Sequence, residues 1–450
     1  MRDTVHFSGI GGFGMSALAQ IAAMEGRKAS GSDRDFDRGR NGATRAALEK
    51  LGVKIYPQDG SGVNDATAEL ALSTAIEDTN PEVLRAKEAG IKVSHRSELL
   101  AAQVDAAESI VVAGTSGKST VAAMLFTILE GAGLGPSIIT GGALLALKER
   151  GLQGNAFRGK GKILVVEGDE SDGTLTRYKP RFGVLLNITK DHKEVPELRK
   201  IFSEFAANCG GFLACADDPE AAALVPGAKL YGADAGGWKL ADVRLGPLSS
   251  SFTVNGAPFE LPLPGRYNVE NALAACAGAA LFGVKPETAA AALKGFRGVD
   301  RRFAILGERG GVKVVDDFAH NPAKLAAALT ALRAAVPGRV IAVYQPHGFA
   351  PARLMRREFV EVFSAGLRRG DLLLMPEIYY AGGTAAKDIS SRDIAGEVAA
   401  AGRDARFFAD RSAIPGAIAA EARPGDIVAV MGARDATLSD LAREILAALG

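Results

Sequence analysis

The strongest constraint on the fold of this 450-residue chain is the stretch VVAGTSGKST at residues 111–120. The apolar run at 109–113 predicts a short buried strand, and residues 121–129 predict a helix. A strand, a glycine-containing turn and a helix that opens on Lys-Ser are typical of a phosphate-binding loop. Backbone N–H groups at a helix start point at the anion, and the helix dipole favours negative charge there. Because both flanking elements are predicted, we prefer this interpretation to a plain glycine-rich turn, although Val112 replaces the usual glycine.

The composition is that of an ordinary globular protein, with 47% hydrophobic and 23% charged residues. The net charge of +1 gives no reason to expect nucleic acid or an anionic membrane as a partner. Three cysteines without CxxC spacing predict neither a disulfide nor a cysteine metal site, which fits a reducing compartment. No apolar run approaches the ~18 residues of a membrane span, and residues 1–7 lack a signal-peptide core. We therefore expect a cytoplasmic protein.

A second glycine-rich stretch, GIGGFG at residues 9–14, lies between a predicted strand at 5–8 and a predicted helix at 15–24. Asp33 ends the next short strand, about 20 residues further on, as in dinucleotide-binding units. The pattern predicts a diphosphate at a helix N-terminus, which either NAD or a UDP-sugar could supply. A tight strand-to-helix turn without a ligand is the remaining alternative.

Acidic residues follow a third predicted strand, at 163–166, in the sequence EGDESD at 167–172. Ligands of open α/β sheets bind beyond the carboxyl ends of the strands. Glu167 is therefore placed to hold Mg²⁺ near the phosphate loop, unless the cluster is only a solvated turn. A strand at 184–186 leads to His192, for which the same position favours a metal or phosphate role over a structural one.

Strands alternate with helices along the rest of the chain, which predicts α/β architecture with parallel sheets. The last part contains predicted strands at 312–315, 340–344, 372–375 and 427–430. Polar clusters follow the first two of these strands, DDFAHNP at 316–322 and QPH at 345–347. A length prior of ~150 residues per domain suggests about three domains. We place them at 1–107, 108–299 and 300–450.

The order of these motifs over the whole chain resembles the Mur ligase family, which forms amide bonds with ATP in peptidoglycan synthesis. Within the family the chain is most similar to the alanine-adding branch. The resemblance implies a Rossmann-like N-terminal UDP-binding domain, a central P-loop ATPase domain and a Rossmann-like C-terminal amino-acid-binding domain. It also implies ATP and Mg²⁺ as cofactors. The expected substrates are UDP-N-acetylmuramate and a small amino acid. The protein is expected to be a monomer or a weak homodimer.

The resemblance also assigns roles to individual residues. Lys118, Glu167, His192 and Arg302 would be catalytic, and the metal would be held by Ser119, Glu167 and His192. The expected ATP-binding residues are Gly114, Thr115, Ser116, Gly117, Lys118, Ser119, Thr120, Asn271, Arg302 and Asp317. The UDP-substrate would contact Gly11, Gly12, Phe13, Gly14, Met15, Asp33, Asp169, Glu170 and Ser171. The amino acid would contact His320, His347 and Arg353.

Departures from the family pattern leave the incoming amine open. Ala207 stands where many Mur ligases carry a carbamoylated lysine, a lysine that the alanine-adding and recycling branches also lack. The loop at 347–353 lacks the Arg-Tyr-Thr-Arg run of the alanine-adding branch. Alanine is our leading prediction, with a recycled murein peptide or another small amino acid as alternatives. An NAD-dependent oxidoreductase would leave the phosphate loop and acid cluster unused, and a non-catalytic relative would not need Lys118.

Overall fold

The structure of the protein, a computed structural model, describes residues 2–171, 173–190, 193–380 and 386–450. The chain forms two compact units. One comprises Met1–Asp242, Phe252–Phe259 and Glu270–Arg297, and the other Val243–Ser251, Glu260–Val269 and Gly298–Gly450. In the described parts of the chain, every helix is too short or too polar to span a lipid bilayer. The division into three domains stays a prediction.

The first unit begins with a parallel five-stranded sheet of order β3-β2-β1-β4-β5. Its strands are β1 (Thr4–Ser8), β2 (Lys28–Ser32), β3 (Lys54–Tyr56), β4 (Thr67–Leu72) and β5 (Lys92–His95). The helices are α1 (Phe13–Met24), α2 (Arg34–Asp37), α3 (Gly42–Lys50), α4 (Pro81–Glu88) and α5 (Arg96–Ala106). The strand order reverses at β1, so the glycine-rich stretch that follows β1 lies at the switch point, where such sheets bind ligands.

A second sheet of the same unit has the order β12-β11-β10-β6-β9-β7-β8 and is parallel except for the β7–β8 pair. Its strands are β6 (Glu108–Ala113), β7 (Ser137–Ile139), β8 (Ala156–Phe157), β9 (Ile163–Glu167), β10 (Phe182–Leu185), β11 (Gly211–Cys215) and β12 (Lys229–Tyr231). Its helices are α6 (Lys118–Gly131), α7 (Leu145–Glu149), α8 (Val195–Asn208) and α9 (Pro219–Ala222), with a 3-10 helix at Thr174–Arg177. Central β6 is buried from Ser109 to Ala113, which explains its continuous apolar run.

Three further strands form a small sheet in the order β13-β14-β15, with bounds Leu240–Leu245, Ser250–Val254 and Ala257–Leu261. The turn between the last two contains Asn255 and Gly256, both with positive φ (51° and 83°). This is the conformation that tight hairpins require, and Asn-Gly is its usual sequence. Helices α10 (Arg266–Ala280) and α11 (Pro286–Leu293) follow.

The second unit contains a six-stranded sheet of order β16-β17-β21-β18-β19-β20, with only the edge strand β16 antiparallel. Its strands are β16 (Ala304–Arg309), β17 (Val312–Asp317), β18 (Val340–Gln345), β19 (Leu372–Pro376), β20 (Asp404–Phe408) and β21 (Ile427–Gly432). Its helices are α12 (Pro322–Ala335), α13 (Phe349–Leu354), α14 (Arg356–Gly366), α15 (Ser391–Ala400), α16 (Ile414–Glu421) and α17 (Leu438–Ala448), with a 3-10 helix at Arg411–Ala413. The predicted α/β class is confirmed.

Candidate active site

The predicted phosphate loop connects β6 to α6. Gly114 and Gly117 have φ of +139° and +88°, a region that side-chain-bearing residues rarely adopt. A Cβ atom on Gly117 would lie 2.6 Å from Oδ1 of Asn271, so this position also has no room for a side chain. No side chain caps the start of α6. The helix N-terminus therefore has the form that binds phosphate through backbone N–H groups, and Asn271, predicted to bind ATP, lies beside it.

Asn187 holds the loop in this shape from the neighbouring strand. Its Oδ1 accepts hydrogen bonds from Thr115 Oγ1 and from the Ser116 backbone N–H, both at 2.9 Å. Its Nδ2 donates to the Ser116 carbonyl at 3.1 Å. Sequence reasoning missed Asn187, although it directly follows a predicted strand, in the same segment as His192.

Lys118 forms an ion pair with Glu170. Its Nζ lies 2.8 Å and 3.1 Å from the two carboxylate oxygens, and 2.6 Å from the Gly114 carbonyl. The two side chains are only 14% and 5% exposed. Burial raises the pKa of Glu170 above its ordinary value, although the charge of Lys118 acts in the opposite direction. Lys118 is therefore not the exposed point charge that a lysine in a glycine-rich loop would suggest, because its side chain folds back onto a buried carboxylate.

Glu167, at the end of β9, is held by three donors. Its Oε1 accepts from Ser119 Oγ at 2.7 Å, while its Oε2 accepts from Thr140 Oγ1 at 2.6 Å and the Gly141 N–H at 2.7 Å. A carboxylate and a hydroxyl at the start of α6 are hard oxygen ligands of the kind Mg²⁺ prefers, so the donor set fits this ion. The described residues contain no group of three metal-ligating side chains. His192, the other predicted ligand, lies outside them.

The glycine-rich stretch after β1 is held by Asp33. Its Oδ2 accepts from the Gly11 N–H and its Oδ1 from the Asp35 N–H, both at 2.9 Å. A Cβ on Gly11 would lie 2.8 Å from Oδ2, which explains the glycine. Asp33 thus shapes the loop. Phe13, the first residue of α1, has a side chain that is 50% exposed.

The other predicted UDP-substrate residues lie around these loops. Gly12 directly precedes α1. Because glycine has no side chain, it does not cap the start of the helix. Met15 is buried within the helix. Asp169 and Ser171 are exposed, and the Asp169 carboxylate accepts from the Ser171 N–H at 2.9 Å.

In the second unit, Arg301 and Phe303 have left-handed backbone conformations, with φ of 56° and 49°. Arg302 lies between them with its guanidinium 4.8 Å from the centre of the Phe318 ring. Asp317 accepts backbone N–H bonds from Phe303 and Ala319, both at 2.7 Å. Burial raises the pKa of Asp317, although these bonds and Arg302 oppose the shift. Arg302 and Asp317, both predicted to bind ATP, thus belong to one cluster.

Of the three residues predicted to bind the amino-acid substrate, two lie close together. The rings of His320 and His347 lie 5.3 Å apart. Arg353 instead forms an ion pair with Asp388, and both side chains are about half exposed. The segment at 347–353, expected as a loop, is largely helical because Phe349–Leu354 forms α13.

A cavity of about 370 Å³ lies at the carboxyl ends of β18 and β19 in this unit. Its polar lining includes Gln345, Glu377, Arg411, Asp435 and Thr437. The guanidinium of Arg411 lies 2.6 Å from the Asp435 carboxylate. Sequence reasoning did not identify Glu377, Arg411 or Asp435, although each follows a strand.

Comparisons with known proteins give Mur ligases as relatives along nearly the whole chain. Family models described as "Mur ligase family, catalytic domain", "Mur ligase middle domain" and "Mur ligase, glutamate ligase domain" match residues 4–107, 112–279 and 301–434. The chain is 37% identical to the UDP-N-acetylmuramate–L-alanine ligase of Dinoroseobacter shibae, covering 99% of this chain and 97% of the relative. The ligase of the same name from Rhizobium etli is 34% identical, covering 96% and 94%.

Solved structures show the same fold. The UDP-N-acetylmuramate–alanine ligase of Thermotoga maritima superposes with a TM-score of 0.82 at 25% identity, covering 99% of this chain and 98% of that one. A murein peptide ligase of Psychrobacter arcticus gives 0.71 at 21% identity, covering 100% and 99%. From the three matched segments, the full-length relatives and the phosphate loop with its acidic partners, we conclude that this chain belongs to the Mur ligase family.

Proposed function

We propose that the protein is an ATP-dependent ligase that joins L-alanine to the lactyl carboxylate of UDP-N-acetylmuramate in peptidoglycan biosynthesis. The observation that carries the proposal is the nearly full-length similarity to ligases named for this reaction. The phosphate loop and the hydrogen-bonded pair of Ser119 and Glu167 support the proposal, because they would supply the phosphate and Mg²⁺ contacts that such a reaction needs. We expect the enzyme to work in the cytoplasm as a monomer or weak homodimer.

ATP would bind with its phosphates at the start of α6. The backbone N–H groups of the loop would surround the phosphates, and Lys118 would exchange the Glu170 carboxylate for phosphate oxygens. Ser119, Glu167 and His192 would hold Mg²⁺, which neutralises phosphate charge when bound. Asn271, Arg302 and Asp317 would contact the rest of the nucleotide, and Thr120 would support the loop from the first turn of α6.

UDP-N-acetylmuramate would place its diphosphate at the start of α1, cradled by Gly11 to Met15, a loop that Asp33 shapes. Asp169, Glu170 and Ser171 would contact the same substrate from the segment after β9. Its lactyl carboxylate then attacks the γ-phosphorus of ATP, and ADP leaves. Correct alignment of these reactants supplies much of the rate acceleration in such a step.

The acyl phosphate formed in this way is the electrophile for the second step. The amine nitrogen of L-alanine attacks the acyl carbon, a tetrahedral intermediate forms, and inorganic phosphate leaves as the nitrogen loses a proton. His320 and His347 would lie at the amine, and Arg353 would bind the alanine carboxylate through paired hydrogen bonds. For this, Arg353 has to leave Asp388.

The proposal is tested by phosphate release from ATP and Mg²⁺ with UDP-N-acetylmuramate and each amino acid in turn. We expect L-alanine to give the highest kcat/KM, with glycine and L-serine tolerated. Activity with L-Ala-γ-D-Glu-meso-diaminopimelate and with no free amino acid would instead make the protein a recycling ligase. Equilibrium binding of NADH but not UDP-N-acetylmuramate would contradict both.

A further inference from the structure

Asn155 joins the glycine-rich loop of the first sheet to the phosphate-loop sheet. It directly precedes β8 and its side chain is completely buried. Its Nδ2 donates to the Phe13 carbonyl at 2.8 Å and to Ser16 Oγ at 3.0 Å. Its Oδ1 accepts from Gln20 Nε2 at 2.8 Å. One side-chain amide therefore forms hydrogen bonds to three residues of α1, including the first residue of the helix.

The backbone of Asn155 continues this connection toward the ATP site. Its carbonyl accepts from the Thr140 N–H at 3.0 Å. Thr140 in turn donates through Oγ1 to Oε2 of Glu167, and Oε1 of the same carboxylate accepts from Ser119. A continuous run of hydrogen bonds thus extends from the first turn of α1 to the first turn of α6.

A plain packing role explains this arrangement poorly. An apolar side chain between α1 and β8 would avoid the cost of burying an amide, which is recovered only if every hydrogen bond is made. The three bonds of Asn155 instead fix the position of α1 along and around its axis. The start of α1 is where the diphosphate of the UDP-substrate is expected, so the orientation of α1 determines where the attached carboxylate lies.

We propose that Asn155 is a positioning residue that aligns the lactyl carboxylate with the γ-phosphate of ATP by fixing α1 relative to Glu167. This inference rests on the proposed function. Asn155 does not touch the substrate, so its loss leaves both binding sites present and changes their alignment. A displacement of about 1 Å between reacting groups costs up to ~10²-fold in rate.

The test compares Asn155→Ala and Asn155→Asp with Gln153→Ala. Gln153 also accepts from Gln20 Nε2, at 3.0 Å, so the control removes a partner of the same helix without releasing Phe13 or Ser16. For both Asn155 variants we expect kcat with UDP-N-acetylmuramate and L-alanine to fall about 10- to 100-fold. Calorimetric Kd values for UDP-N-acetylmuramate and Mg-ADP should change by less than about threefold. Gln153→Ala should keep a normal kcat.

A fall in melting temperature with an unchanged kcat would overturn the proposal, because a merely structural amide gives that result. A large loss of UDP-N-acetylmuramate affinity with an unchanged kcat would overturn it as well. If the Asn155 variants do not fold, Ser16→Ala removes one acceptor from the helix side and should lower kcat in the same selective way. A wild-type protein that releases no phosphate would contradict the proposed function, whereas an active wild type with active Asn155 variants contradicts only this inference.

Discussion

Replacing Lys118 by methionine tests the ion pair that this lysine makes with Glu170. Methionine keeps the length of the side chain and removes its charge. The Glu170 carboxylate, 5% exposed, then loses the cation that it contacts. A charge left alone in a buried site is strongly destabilising, unless the group takes up a proton. We therefore expect Lys118→Met to lose stability as well as activity.

The size of this loss has an upper bound. Protonating a carboxyl of ordinary pKa 4.5 at pH 7 costs about 3 kcal/mol, at 1.36 kcal/mol per unit. Because burial already raises the pKa of Glu170 in the wild type, part of this cost is present before the substitution, and the loss is smaller than this bound. In a cooperative unit of 150–250 residues, 1 kcal/mol shifts the melting temperature by about 2–4 °C, so the fall is at most roughly 12 °C.

Thermal unfolding of Lys118→Met and Lys118→Met/Glu170→Gln at pH 7 and pH 5.5 measures the effect. The double variant should regain the lost stability because the buried group is then neutral, but it should stay inactive, with turnover reduced by at least ~10²-fold. A folded-state pKa above the unfolded one penalises the folded state at high pH, so the deficit of the single variant should shrink at pH 5.5, by at most about 2 kcal/mol. If Lys118→Met has the same melting temperature as the wild type at pH 7, the reasoning is refuted.

Three further predictions use other contacts. Glu167→Gln should raise the Mg²⁺ concentration needed for half-maximal turnover, since it removes the charge from a hard oxygen ligand; an unchanged Mg²⁺ titration would exclude Glu167 from the metal site. Arg353→Ala should raise the KM for L-alanine about tenfold at constant KM for ATP, and Asp388→Asn, which frees the arginine, should not raise it. Burial acts to raise the pKa of Glu82, but hydrogen bonds from His6 and neighbouring hydroxyls lower it overall. Its stabilising effect is therefore present above pH 4.5 and lost as pH falls below that value, so the melting-temperature difference between wild type and Glu82→Gln should be largest at pH 7 and vanish in acid.

The local pattern of the sequence was enough to predict the parallel sheets and both glycine-rich loops. Strands such as β6 carry continuous apolar runs because they are buried on both faces, and Gly117 stands where a side chain would collide with Asn271. The small sheet of β13 to β15 was not predicted, although Asn255-Gly256 is a hairpin signal. Buried and more exposed residues alternate along β14 and β15, but over only 5 residues in each strand, which is a short periodic signal.

Contacts between distant residues could not be predicted in this way. Nothing near Lys118 in the sequence indicates that it pairs with Glu170, 52 positions later. Asn155 gives no sequence signal at all, because a buried amide between two elements looks like an ordinary loop asparagine. Arg353 was chosen for its closeness to His347 in the sequence, whereas its contact with Asp388 depends on how α13 turns the side chain.

The left-handed residues on either side of Arg302 have a consequence for the cost of binding. Such a conformation costs on the order of 1–3 kcal/mol per residue and persists only where surrounding contacts impose it. Here Arg301 donates to the Gly432 carbonyl at 2.9 Å, and the Phe303 N–H to Asp317 at 2.7 Å. These contacts fix the backbone around Arg302 before any ligand arrives, so little backbone entropy would remain to be lost if the guanidinium binds a phosphate, as the proposed function requires. The entropy lost on ordering the Arg302 backbone is therefore lost during folding and not during binding.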